Sequence, residues 1–269
     1  MKRFSKYLQV IINTVAESSE FRFNHLLSFL VIALPLVFMF LLWKRIFHVT
    51  GQIGEFSFRD MVTYYFLVVL LYDITYPGPF WEVIDHIRDG MLNIFLTKPI
   101  SYPAYIFSLK LGINLPYFLI ALIVLVSLGI ITGFGKYLIT PSNFFSFGVF
   151  LLAFTFAIVL GLSLSLLFSL LTFWLEEGRG LDFFLEFLIG LSGGSLLPIS
   201  LYPGFLRSLC SLLPFRYVLN FPVEVYLGVI HGKELAQGMI IQVFWCVLSY
   251  VMLRLLWKKG LKIYEGVGA

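Results

Sequence analysis

Side chains able to do chemistry are few in this sequence, and they are scattered. His25, His48, His86 and His231 fall in different segments, and none has a second His or Cys at ligand spacing. No metal site is expected from them. The string GFGKY at Gly133–Tyr137 lacks the spacing and the Ser/Thr of GxxxxGK[ST]. No phosphate-cradling loop is therefore expected, and no cofactor bound by this chain. Ser195, in SGGS, would need a base within hydrogen-bond reach to act as a nucleophile. No His lies inside a predicted span, and small residues that let helices pack closely explain the string instead. Arg179, Asp182 and Glu186 share one helix face at three- and four-residue spacing. Two readings stay open for them: an ion-paired, water-facing hairpin capped by Asp182, or charges that serve transport.

The elements that must carry these residues follow from composition. The chain has 269 residues, 59% hydrophobic and 13% charged, with mean hydropathy +0.93. Soluble domains carry about 25% charge, so too little charge is present to cover a water-facing surface. The apolar runs are long and unbroken, against a β-barrel, which needs alternating segments of about ten residues. What remains is an all-α membrane protein. The net charge of +4 does not imply nucleic acid, because Lys and Arg sit mainly at the ends of apolar runs. Cys210 and Cys246 are expected to be unpaired thiols. No cleavable signal peptide is evident, since residues 1–20 are polar and the first apolar run is long enough to span.

A crossing helix needs about twenty apolar residues. Six spans are expected: Leu26–Trp43, Met61–Tyr76, Tyr105–Ile131, Phe144–Trp174, Phe183–Leu201 and Met239–Trp257. With the N-terminus inside, Lys2, Arg3, Lys6, Arg22, Arg88, Lys98, Lys110, Arg179, Arg254, Lys258, Lys259 and Lys262 are cytoplasmic. Lys44, Arg45, Arg59, Lys136, Arg207, Arg216 and Lys233 are outside. That distribution favours cytoplasmic N- and C-termini in the cell membrane. The whole of 1–269 reads as one transmembrane domain.

Three segments stand out beside the spans. Residues 1–25 form an amphipathic cytoplasmic helix, with Phe4, Tyr7, Leu8, Ile11 and Val15 on one face. It reads as an anchor in the membrane interface or as a mechanical element. Residues 77–104 are a cytoplasmic segment punctuated by Pro77, Pro79, Pro99 and Pro103. Phe80, Trp81, Ile84, Ile87, Met91, Ile94 and Phe95 form an apolar stripe there, and Glu82, Asp85, His86, Asp89 and Asn93 a polar one; Gly90 can bend it. It reads as an interfacial helix or as the seat of a soluble partner. Residues 202–238 lie outside, after a fifth span interrupted by Gly190, Gly193, Gly194 and Pro198 and followed by Pro203 and Pro214. Phe205–Leu213 is apolar but too short to span, and reads as a re-entrant or an interfacial helix.

This order of elements resembles the membrane subunits of ABC-2 type ABC transporters. The strings IRDGMLNIFLTKPIS (Ile87–Ser101), PFRYVLNFPVEVYLG (Pro214–Gly228) and WKKGLKIYEGVGA (Trp257–Ala269) are similar to the branch described as ABC-2 family transporter protein. The resemblance implies a permease without enzymatic activity of its own. It implies pairing with a second membrane subunit, identical or related, among membrane lipids. It also implies a separate cytoplasmic ABC ATPase that carries ATP and Mg2+. The family's coupling helix maps to Phe80, Trp81, Glu82, Asp85, His86, Arg88, Asp89 and Gly90. Export of a hydrophobic, amphipathic or polymeric compound is implied, with Gly193, Gly194, Pro198, Pro203 and Pro214 as candidates for its path or gate. The competing readings are a self-contained secondary transporter or channel, which predicts internal repeats and midplane charges, and a membrane-embedded lipid enzyme. Neither pattern is found.

Overall fold

A backbone in hydrocarbon must pair its own polar groups, and the described residues do so as helix. The computed structural model describes residues 2–18, 22–76, 80–141, 143–175 and 179–264; side chains at 2–5, 22–33, 73, 179 and 182 lie outside that description. In chain order the helices are α1 (Lys2–Ser18), α2 (Arg22–Thr50), α3 (Phe58–Thr75), α4 (Trp81–Arg88), α5 (Leu92–Leu96) and α6 (Tyr102–Thr132). After them come α7 (Phe144–Leu170), α8 (Arg179–Ser192), α9 (Gly204–Leu212), α10 (Asn220–Leu227) and α11 (Gly232–Ile263). One isolated bridge, Ile53 with Phe56, is the only β pairing among the described residues.

Among the described residues, three of the six expected runs are helices long and apolar enough to cross a membrane: Tyr102–Thr132, Phe144–Phe173 and Gly232–Ile263. Their faces are sorted as lipid requires. On α11, Gln242, Cys246, Ser249, Leu253 and Gly260 are buried, while Ile240, Phe244, Val247, Val251 and Leu255 are exposed. On α6, Ser108, Lys110, Gly112 and Asn114 face inward, and Leu119, Ile123, Val126 and Ile130 face out. Small and polar residues inside with large apolar ones outside is the packing of membrane helices.

Helix α3 is the axis of the bundle. It starts at a capping box, Ser57 with Asp60, and nearly every residue from Met61 to Leu71 is buried. Helices α2, α6, α7 and α10 pack around it. Its C-terminal end presses on α7 at Gly161, where a Cβ would collide with the Thr75 carbonyl. Helix α1 packs on α6, with buried Thr14 seated against Gly112 and the Ser101 amide donating to the Tyr7 hydroxyl at 2.9 Å.

The fifth run, expected to be interrupted by Gly190, Gly193, Gly194 and Pro198, is broken and does not continue as one helix through Leu201. Helix α8 stops at Ser192, so it is about 21 Å long, and Pro198 leads into a 3-10 turn at Ile199–Leu201. Two successive glycines followed by a proline stop the helix there. The apolar stretch Phe205–Leu213 is left uncovered by the rest of the bundle. It forms α9, on which Phe205 is 79% exposed and Leu212 73%, with Cys210 its one buried residue. The buried short helix is the next one, α10, packed between α3 and α7.

Candidate functional site

The segment after α3 is built from two short helices, α4 and α5. Gly90, at φ +72°, ends α4 and lets the chain turn into α5; a left-handed residue there favours glycine. Pro77 and Pro79 lie outside the described residues. Val83, Ile84, Ile87 and Leu92 are buried with Phe80 beneath them. Two polar contacts fasten α4 to α6. The Lys110 ammonium sits 2.9 Å from the Glu82 carboxylate and over the Phe80 ring. His86 Nδ1 is 2.8 Å from the Tyr102 hydroxyl. Burial holds the His86 imidazole below its usual pKa, against the opposing pull of Glu82, Asp85 and Asp89.

The faces therefore differ from the expected stripes. Glu82 and His86, placed on the polar stripe, turn toward the bundle. Trp81, Met91 and Ile94, placed on the apolar stripe, are exposed. Asp85, Arg88 and Asp89 are exposed beside them. The bend at Gly90 splits one apparent helical period into two short ones, which re-aims the residues after it. The outward surface combines an aromatic and two large aliphatic side chains with two carboxylates and one guanidinium, a composition suited to a protein contact.

The second cluster lies at the opposite end of the bundle, where α8 breaks. Gly194 takes φ +84°, and a Cβ there would come within 2.7 Å of the Tyr64 hydroxyl and 2.9 Å of Asn220. The Asn220 backbone N–H donates to the Gly193 carbonyl at 3.0 Å, and the Tyr64 hydroxyl donates to the Gly194 carbonyl at 2.6 Å. Thus α10 is sewn to the break in α8 through α3. Gly193, Gly194 and Pro198 are buried in this junction and Pro214 is buried at the start of the turn before α10, whereas Pro203 is exposed at the start of α9.

Beside it, buried Glu224 pairs with Arg216 at 2.9 Å. Burial raises the Glu224 pKa, with Arg216 opposing. Two proton arrangements satisfy the neighbouring groups. With Glu224 ionised, the Asn220 side chain donates to its carboxylate at 3.1 Å and accepts from Tyr64. With Glu224 protonated, its carboxyl donates to Asn220, whose amide donates to the Tyr64 oxygen at 3.1 Å, leaving Tyr64 free to donate to Gly194. Glu224, Arg216, Arg207, Glu55 and Glu234 line a polar chamber of about 350 Å³. Sequence reasoning overlooked Tyr64, Asn220 and Glu224. The signal available was a carboxylate inside the apolar string Val218–Leu227, where an ionisable group is a functional candidate.

The third expected cluster is only partly visible. Glu186 is exposed on α8; the side chains of Arg179 and Asp182 lie outside the described residues. Among the described residues no group of His, Cys, Asp and Glu is arranged to hold a metal ion.

A family model described as ABC-2 family transporter protein matches residues 33–268, from within α2 to beyond the end of α11. The chain belongs to that family. No curated protein matches it. As an ABC-2 protein it is a membrane-embedded permease subunit of an ABC transporter. Subunits of this family generally work with an ATPase subunit and are generally not catalytic themselves. In this permease the α4–α5 segment and the α8–α10 junction stand at opposite ends of the long helices.

Proposed function

We propose that this subunit exports a hydrophobic, amphipathic or polymeric compound across the cell membrane, with both termini cytoplasmic and six crossings. A separate cytoplasmic ATPase, carrying ATP and Mg2+, drives it through α4 and α5. This chain itself binds no cofactor and no nucleic acid. A second membrane subunit, identical or related, completes the path. The faces offered to it are on α2, where Leu34, Phe38 and Leu41 are exposed, and on α8, where Phe183, Phe184 and Phe187 are exposed. Lipid or a partner helix must cover such faces. The break at Gly193, Gly194 and Pro198, with Pro203 and Pro214 following, serves as path or gate, and Arg179, Asp182 and Glu186 form the charged cytoplasmic hairpin.

The observation that carries the reading is how α4 is held. Its inward face is buried, its Glu82 and His86 are tied to α6, and its outward face presents Trp81, Asp85, Arg88 and Asp89. A push on that face reaches α6 as a rigid displacement instead of being absorbed by a loose loop. The test is Asp85→Lys with Asp89→Lys. Both side chains are exposed, so folding and insertion should be unchanged. Rim charges are individually weak, which is why two are reversed. ATPase association or substrate-stimulated hydrolysis should fall several-fold. Wild-type association and hydrolysis in a normally inserted variant would remove α4 as the coupling element.

A further inference from the structure

A groove of about 820 Å³ opens between α1, α6, α7 and α11, at the end of the bundle that carries α4 and α5. Its size is that of a site for a small organic ligand. Its walls are apolar: Leu8 from α1, Phe107 from α6 and Leu166 from α7. Arg254 and Lys258 also line it, with Trp257 between them in sequence. They lie four residues apart on α11, hence on one face, and both are exposed. No Asp or Glu is among the described lining residues. Arg254 rests against the Tyr250 ring at 5.2 Å, which fixes the guanidinium at the groove. Lys258 and Trp257 stand within two turns of the end of α11, and Trp and Lys at such a position mark the headgroup level.

We propose that this groove binds one anionic glycerophospholipid from the surrounding leaflet. Arg254 and Lys258 take the phosphate, and an acyl chain runs between Leu8, Phe107 and Leu166. Two cations without a lining carboxylate supply the complement to a negative headgroup, and basic pockets between membrane helices recognise such headgroups. The apolar walls distinguish a lipid from a free phosphate, which would gain nothing from them. This site is separate from the α8–α10 junction and from the outward face of α4, so it stands whether or not export is the function.

The test uses full-length protein in nanodiscs of equal phosphatidylglycerol and phosphatidylcholine, extracted gently for native mass spectrometry. Wild type should retain phosphatidylglycerol preferentially. Each cation near the surface contributes about a fivefold preference, so Arg254→Gln with Lys258→Gln should lower it on the order of 25-fold. Arg254→Lys with Lys258→Arg should keep it, which separates charge from fold. Ala104→Trp, which fills the apolar wall and spares both cations, should lower retention of the lipid. Equal retention of both lipids by wild type overturns the proposal. So does an undiminished preference in the Gln pair, or displacement of the lipid by glycerol phosphate alone at matched concentration.

Discussion

The ion pair that seats α4 on α6 is open to direct measurement. The Lys110 side chain is 8% exposed and Glu82 34%, with 2.9 Å between their charged atoms. At an effective dielectric near 20 their gross attraction is about 6 kcal/mol, much of it offset by desolvation. Removing one partner of a buried pair costs about 3–5 kcal/mol because the other charge is stranded. Glu82 keeps a third of its surface in water, so the cost of Lys110→Met should be about 2–3 kcal/mol. Lys110 also loses its place over the Phe80 ring, so the single variant overstates the pair. A cycle with Glu82→Gln isolates it. We expect Glu82→Gln, which strands the more deeply buried Lys110 ammonium, to destabilise at least as much as Lys110→Met, and the double variant to recover much of the loss, giving a coupling energy of about 2 kcal/mol. Equilibrium unfolding in mixed micelles measures the stabilities, and substrate-stimulated hydrolysis in the assembled transporter reads the consequence. Additive effects within about 0.5 kcal/mol would refute the reasoning, and α4 would then be held by apolar burial alone.

Further outcomes follow from the other contacts. Gly161→Val should separate α3 from α7, because its side chain meets the Thr75 carbonyl; folded yield in detergent should collapse, while Gly148→Val, at an open position, should leave it unchanged. Glu224 has a raised pKa, chiefly from burial, so its contribution to stability is fully present below the ordinary glutamate value of about 4.3 and is lost as pH rises through the folded value. Thermal unfolding followed from pH 4 to 8 should show that decline, and Glu224→Gln should flatten it. Single cysteines at exposed Lys136 and Lys262, in a background lacking Cys210 and Cys246, should label differently in intact cells, with a membrane-impermeant reagent reaching position 136 alone.

What could be read from the residues, and what could not, follows from the range of the interactions involved. The apolarity of α6, α7 and α11 is a local property, so those runs were legible before any contact was known. The α4–α5 segment was locatable from its prolines and its period, but its faces were not. A period fitted across Gly90 assumes one helix axis, and the turn at φ +72° gives two. That put Met91 and Ile94 on the wrong side, while Trp81, ahead of the turn, lies at the exposed start of α4. Lys110 looked like one more charge near a span end, since nothing local marks a partner 28 residues away. The short apolar run Phe205–Leu213 reads as a re-entrant or an interfacial helix, but the bundle leaves it uncovered. The energy resides instead in α10, where Phe221 fills the space above Gly238 and Asn220 reaches the broken end of α8. An apolar helix at a membrane protein's surface loses nothing by facing lipid, so hydrophobicity alone cannot tell α9 from an inserted element. A carboxylate can. Glu224 is 2% exposed and is met there by Arg216 and the Asn220 side chain, so the polar residue in an apolar string was the better guide to the helix that the bundle holds inside.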